Sequence, residues 1–329
     1  MNKIQSSFFI PLLLLALINT SCKHQVKASK EQPVYFYFFE KQTALGVEQS
    51  QRLIEQFLGE KGPQTLVKSD ENIVYFSSNK DMNTNLEHDL NTGNFTFNRG
   101  MTKYLNDFIP QLPTPQEALK IADRFLASNA LSPRNSKEFK LLHQGGVRAT
   151  TVQNGNKPGP IIDKLITLNY GRVIDSLPVL GPGSKMVINI GDKGEVTSLI
   201  RRWRELSRLA RKKIDLDQQI SQEEAQSLAR RQIVAEFGTK AKFEISRSFK
   251  AYYDNNGQII QPVYAFETTI NLGDQNVQPF NYLCVIPFAK NAPERLNLFV
   301  TDPRAKEPIR NYKRGDVTPG GSGNGQKED

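Results

Sequence analysis

Zinc peptidases of the thermolysin type hold their metal between two histidines one helical turn apart, in His-Glu-x-x-His. The three histidines here, His24, His88 and His143, never come near that spacing. Neither a Gly-x-Ser-x-Gly nucleophile turn nor a Gly-x-x-x-x-Gly-Lys-Ser/Thr phosphate loop occurs. Gly181-Pro182-Gly183-Ser184-Lys185 has the composition of a phosphate loop but not its spacing, and Pro182 removes an amide donor that such a loop uses. Ser77-Ser78-Asn79-Lys80 matches Ser-x-x-Lys, yet it closes an apolar run and meets Asp81, as a solvated turn does. Asp163, Asp175 and Asp192 fall in separate turns. No catalytic residue, metal ligand or cofactor is assigned, and a non-enzymatic binding protein is expected.

One stretch stands apart chemically. Arg201, Arg202, Trp203, Arg204, Arg208, Arg211, Lys212 and Lys213 put the only tryptophan inside a dense basic run. Such a run can dock anionic lipid headgroups, a polyanion or an acidic protein face, each cation contributing about 1 kcal/mol near an anionic membrane. It can equally be a solvated linker whose Trp203 packs between two domains. The net charge of +9 favours anionic surfaces.

The chain opens with Lys3 and then the apolar run Phe8 to Ile18, too short to span a bilayer. Thr20-Ser21-Cys22 follows, resembling a lipobox although Asn19 replaces the usual leucine. Lipidation of Cys22 is therefore expected, with cleavage before it. Several acyl chains burying methylenes at about 0.8 kcal/mol each give stable attachment. The expected location is the cell envelope, lipid-anchored and periplasm-facing, because Lys23, Lys27 and Lys30 follow the anchor without an acidic cluster. Nucleic acid is then excluded as a partner. The other cysteine, Cys284, lies in the apolar run Tyr282 to Ile286 and is expected to be a buried thiol.

Three amphipathic helices are predicted, at Val47 to Leu58, Pro115 to Ser128 and Gln222 to Phe237. Thr114, Pro115 and Glu117 cap the second; Ser221 and Glu224 cap the third. Each is followed by strand-like runs: 72–76, 86–90 and 94–97; then 164–170, 186–190 and 195–200; then 243–253, 263–270 and 280–288. Val34 to Phe39 adds an opening strand. The expected fold is α+β: tandem small units, each with one helix packed on an antiparallel sheet. The boundaries read as signal peptide 1–21, tether 22–32, a first degenerate unit 33–110, a second unit with the basic linker 111–213, a third unit 214–305, and a disordered Gly/Ser-rich tail 306–329.

Tyr170-Gly171-Arg172-Val173, Leu177-Pro178-Val179-Leu180-Gly181, the strand Met186 to Ile190 and the turn Asp192-Lys193-Gly194 resemble PepSY-like domains and the related propeptide domains of secreted metallopeptidases. Ser221 to Phe237 with Pro262-Val263-Tyr264 looks like a second copy. The resemblance covers roughly residues 112–301. It implies a cystatin/PepSY-like fold and a role as inhibitor or chaperone of an exported peptidase, or binder of another envelope protein.

Overall fold

The computed structural model describes residues 33–41, 46–59, 64–70, 72–81, 83–105, 107–153, 157–274, 277–294 and 296. Cys22, the tether and the tail lie outside the described residues. Three α-helices form where the apolar periodicity places them. Helix α1 (Val47–Leu58) buries Ser50, Ile54 and Phe57 and ends at Gly59, whose φ of 68° is left-handed. Helix α2 (Pro115–Ser128) begins at Thr114, whose hydroxyl accepts from the Glu117 amide while Glu117 accepts from the Thr114 amide. It buries Ala118, Ala122 and Leu126, with Ile121 and Phe125 at the flanks of that face. Helix α3 (Gln222–Phe237) is capped by Ser221 and buries Ala225, Ala229 and Ile233. Among the described residues no helix is long and apolar enough to cross a membrane.

The strands are β1 (Tyr35–Phe39), β2 (Gln64–Asp70), β3 (Ile73–Ser78), β4 (Asn85–Asp89), β5 (Phe95–Asn98), β6 (Phe139–Gln153), β7 (Lys157–Ile174), β8 (Leu177–Leu180), β9 (Lys185–Ile190), β10 (Val196–Arg202), β11 (Leu206–Lys213), β12 (Lys242–Asp254), β13 (Ile259–Asn271) and β14 (Phe280–Pro287). They form one 14-stranded sheet in the order β11-β1-β13-β12-β8-β7-β9-β10-β5-β4-β3-β2, with β14 on β13 and β6 on β7. This corrects the expected fold. The chain is not a tandem of small units with one helix on each sheet; it is one large mixed sheet carrying three helices.

Two features explain the difference. First, strands distant in sequence pair with one another. The opening strand β1 lies against β13, Tyr37 opposite Ile260, and β10 lies against β5, Leu199 opposite Phe97. Second, α1 and α2 share a single core over β3, β4, β5, β7, β9 and β10, where the Phe57 and Phe125 rings meet at 5.6 Å. Helix α3 covers β13 and β14 in a second core that also takes Phe36 of β1. The short strand β8 joins the two halves, antiparallel to β7 and parallel to β12. Reading units from chain adjacency misses such pairings. Each fully buried Phe, Leu or Ile is worth about 1.5–3 kcal/mol, and the wide shared face buries more of them than separate small units could.

The basic run is also reassigned in structure. Residues 201–202 end β10, 206–213 form β11, and these two strands belong to opposite halves of the sheet. Trp203-Arg204-Glu205 is the crossing between them. Among the described residues strand β11 pairs only with β1, so its arginines and lysines sit on an edge, where charge discourages further strand pairing.

Candidate functional site: the charged junction between the sheet halves

Arg172 organises the junction. Strand β7 points Leu168, Tyr170, Arg172 and Ile174 inward by its two-residue period, so a guanidinium enters an otherwise apolar face. Arg172 is fully buried. Its Nη1 donates to Ser184 Oγ at 3.2 Å and its Nη2 to the Arg204 carbonyl at 2.6 Å. Its Nε stands 3.3 Å from Glu138 Oε2, and its Cζ lies 4.1 Å from the Trp203 ring centroid. Burial presses the guanidinium down to about 10, with Glu138, Asp254 and Glu205 opposing that loss of charge.

Asp254, at the end of β12, is the acidic counterpart. Its carboxylate accepts from Ser184 Oγ at 2.7 Å and from the Asn256 amide at 2.8 Å, and lies 3.8 Å from Arg204 Nη2. Burial pushes this carboxyl above its ordinary value, while Ser184 and Arg204 pull it back. The glycines before Ser184 now have a reason. A Cβ on Gly183 would sit 2.2 Å from the Asp254 carboxylate, and Gly181, at φ +100°, runs against the Asp254 carbonyl. That segment is shaped to approach Asp254, not to cradle phosphate.

At the surface of this network a cleft opens between Glu40-Lys41 after β1, Arg134, and the 201–205 crossing. Arg134 pairs with Glu40, and its amide donates to Glu205 Oε1 at 3.2 Å. Arg204 sits over Phe39, its Cζ 3.7 Å from the ring centroid. Burial lowers the Arg201 and Arg204 guanidinium groups from their ordinary value; Glu205 opposes this at Arg201, and Asp254 at Arg204.

The residues singled out in sequence therefore divide. Trp203 is buried against Phe139 and Arg172; Arg201 and Arg204 line the cleft; Arg202 faces the other way and donates to Thr96 Oγ1 at 3.3 Å. Arg211, Lys212 and Lys213 are exposed on β11, Arg211 over the Tyr35 ring. The Arg208 side chain is outside the described set. Asp163 pairs with Arg148, Asp192 accepts from the Gln111 amide, and Asp175 accepts from the Tyr37 hydroxyl: three acids at three separate places. Glu40, Arg134, Glu138 and Asp254 escape sequence reading, since nothing local marks them. Arg172 could have been found from its inward parity on β7.

Two further groups have reactive chemistry but no access. Ser50 Oγ and His88 Nδ1 are 2.8 Å apart, the spacing of a nucleophile and its base. Both are buried where the inner face of α1 meets β4, and burial lowers the imidazole to about 4. Cys284 is sealed under α3, and burial raises its thiol to about 12. Among the described residues no three His, Cys, Asp or Glu side chains gather as a metal site.

No protein-family model matches the chain, and no curated protein matches it. Among solved structures it is similar to an uncharacterized protein from Eubacterium rectale, at 10% identity and a TM-score of 0.45, over 80% of this chain and 86% of that one.

Proposed function

We propose that the chain is a non-enzymatic envelope protein, anchored by lipid on Cys22, that binds a protein partner by strand addition to the outer edge of β14. One observation carries this reading. Among the described residues four strands pair on one side only: β2, β6, β11 and β14. Natural sheets guard such edges with charges and bulges. Strand β11 is rich in arginine and lysine, β2 is bulged between Leu66 and Lys68, and β6 changes register three times along its length. Strand β14, Phe-Asn-Tyr-Leu-Cys-Val-Ile-Pro, has no charge and pairs with β13 over eight consecutive residues without a shift.

An added strand would find its backbone groups along β14 and a side-chain recess beside it. A cavity of about 280 Å³ opens on the sheet face across β12, β13 and β14, lined by Ser246, Glu267, Thr268, Asn281, Tyr282 and Leu283, within reach of side chains from a strand added to β14. The PepSY-like motifs favour an exported peptidase as the partner, bound through an extended segment. A photo-crosslinking residue at Asn281, in cells, tests the proposal. A discrete protein adduct from position 281, absent from the exposed position Leu216, is the expected result. Equal or no adducts from both positions would overturn it.

A further inference from the structure

We infer that the junction cleft is a binding site for a phosphate-bearing small molecule, held by Arg201 and Arg204 with Lys41 at its rim. The cleft encloses about 340 Å³ and lies where the two halves of the sheet meet, a usual place for ligand sites. Lys41, Arg134, Arg201 and Arg204 line it against Glu40 and Glu205, and with Asp254 behind Arg204 the cleft stays positive by one charge. A phosphate monoester, close to a dianion at neutral pH, brings negative charge and three acceptor oxygens, where a carboxylate brings two.

The unmet hydrogen bonds of the residues at the cleft are of one kind. Arg201 Nε, Trp203 Nε1 and Arg204 Nη2 are buried and meet no acceptor, and Arg172 Nε behind them meets none in hydrogen-bond alignment. All four are donors, so what completes them is an acceptor. Buried donors of this kind are uncommon and ask for a partner. Arginine suits the task because its planar fork matches tetrahedral oxyanions. Arg204 stands 3.8 Å from Asp254 without a hydrogen bond, so its charge is only partly engaged.

The cleft carries its own reporter, since Trp203 is the single tryptophan and contributes to its wall. Inorganic phosphate is titrated into the full-length chain in non-ionic detergent while Trp203 emission is read, with chloride and acetate at matched ionic strength as controls. A saturable change with phosphate, and at least tenfold weaker response to acetate, is expected. Arg201→Gln should raise the phosphate midpoint at least tenfold and Lys41→Gln about threefold, whereas Arg247→Gln on β12 leaves it unchanged. Lys41 is exposed, so K41Q decides the matter if R201Q fails to fold. Vesicles containing phosphatidic acid separate two sources: a response to vesicles alone places the phosphate on a lipid headgroup, and a response to free phosphate places it on a soluble ligand. No response to either, or midpoints unmoved in both variants, would overturn the inference.

Discussion

Arg172 stacks on Trp203, Cζ to ring centroid 4.1 Å, and the same guanidinium donates to the carbonyl of Arg204, the residue after that tryptophan. One side chain of β7 thus fixes the segment by which the chain crosses between the halves of the sheet. Asp254 and Ser184 lock the arrangement from β12 and the start of β9. The cost of burying these charges is offset only while they remain together.

Removing Arg172 should therefore be expensive. Arg172→Ala leaves Asp254 and Glu138 short of a cation and Trp203 short of its stacking partner, and a loss of about 3–5 kcal/mol is expected. Urea denaturation at neutral pH followed by Trp203 emission measures it. A loss below about 1 kcal/mol would show that the halves are joined by other contacts.

His88 gives the stability a pH dependence of definite sign. Its folded value, about 4, is below the ordinary 6.5, so below pH 6.5 the unfolded chain takes up a proton that the fold refuses. The contribution is complete above 6.5 and is lost as pH falls towards 4, on the order of 3 kcal/mol in all. His88→Gln should flatten the urea midpoint across this window relative to the parent chain. Parallel profiles for the two proteins would mean that the imidazole is accessible to protons in the fold. Asp254, raised by burial, works in the opposite sense, favouring the fold more at low pH than at high.

Anchoring is testable apart from the fold. Labelled palmitate should enter the parent chain and fractionate with membranes, while Cys22→Ser should remain unlabelled and soluble. Label in C22S, or an unlabelled parent chain recovered from the cytosol, would remove the lipid anchor from the account.

Local physics made much of the secondary structure legible. Helix caps at Thr114 and Ser221 and the period of Ile54, Phe57, Ala118, Ala122, Ala225 and Ala229 placed all three helices, and β-branched runs placed the central strands. Four strands, β2, β6, β8 and β11, were not visible, three of them at an edge. Strand β6 contains Gly145-Gly146 and is largely exposed on both faces, so it shows no alternation. Strand β11 carries the charges that guard an edge, and these read as a linker. Sheet order was hidden for a different reason: which distant strand pairs with β1 or β10 depends on long-range packing that no local pattern encodes. The cleft was half visible, because Arg201, Trp203 and Arg204 stood out by composition. Their neighbours Glu40 and Arg134 arrive from far along the chain.

If a partner adds to β14, a single charged residue on that edge should block it. Leu283 is 39% exposed, so Leu283→Lys should fold normally while guarding the edge as lysines do elsewhere. Ile161, 71% exposed on β7, serves as the matched control in Ile161→Lys. The amount of the adduct formed from position 281 is compared in the two backgrounds, with thermal unfolding run alongside. Loss of the adduct in L283K at an unchanged Tm, and its retention in I161K, is the expected result. Full adduct in folded L283K would contradict it.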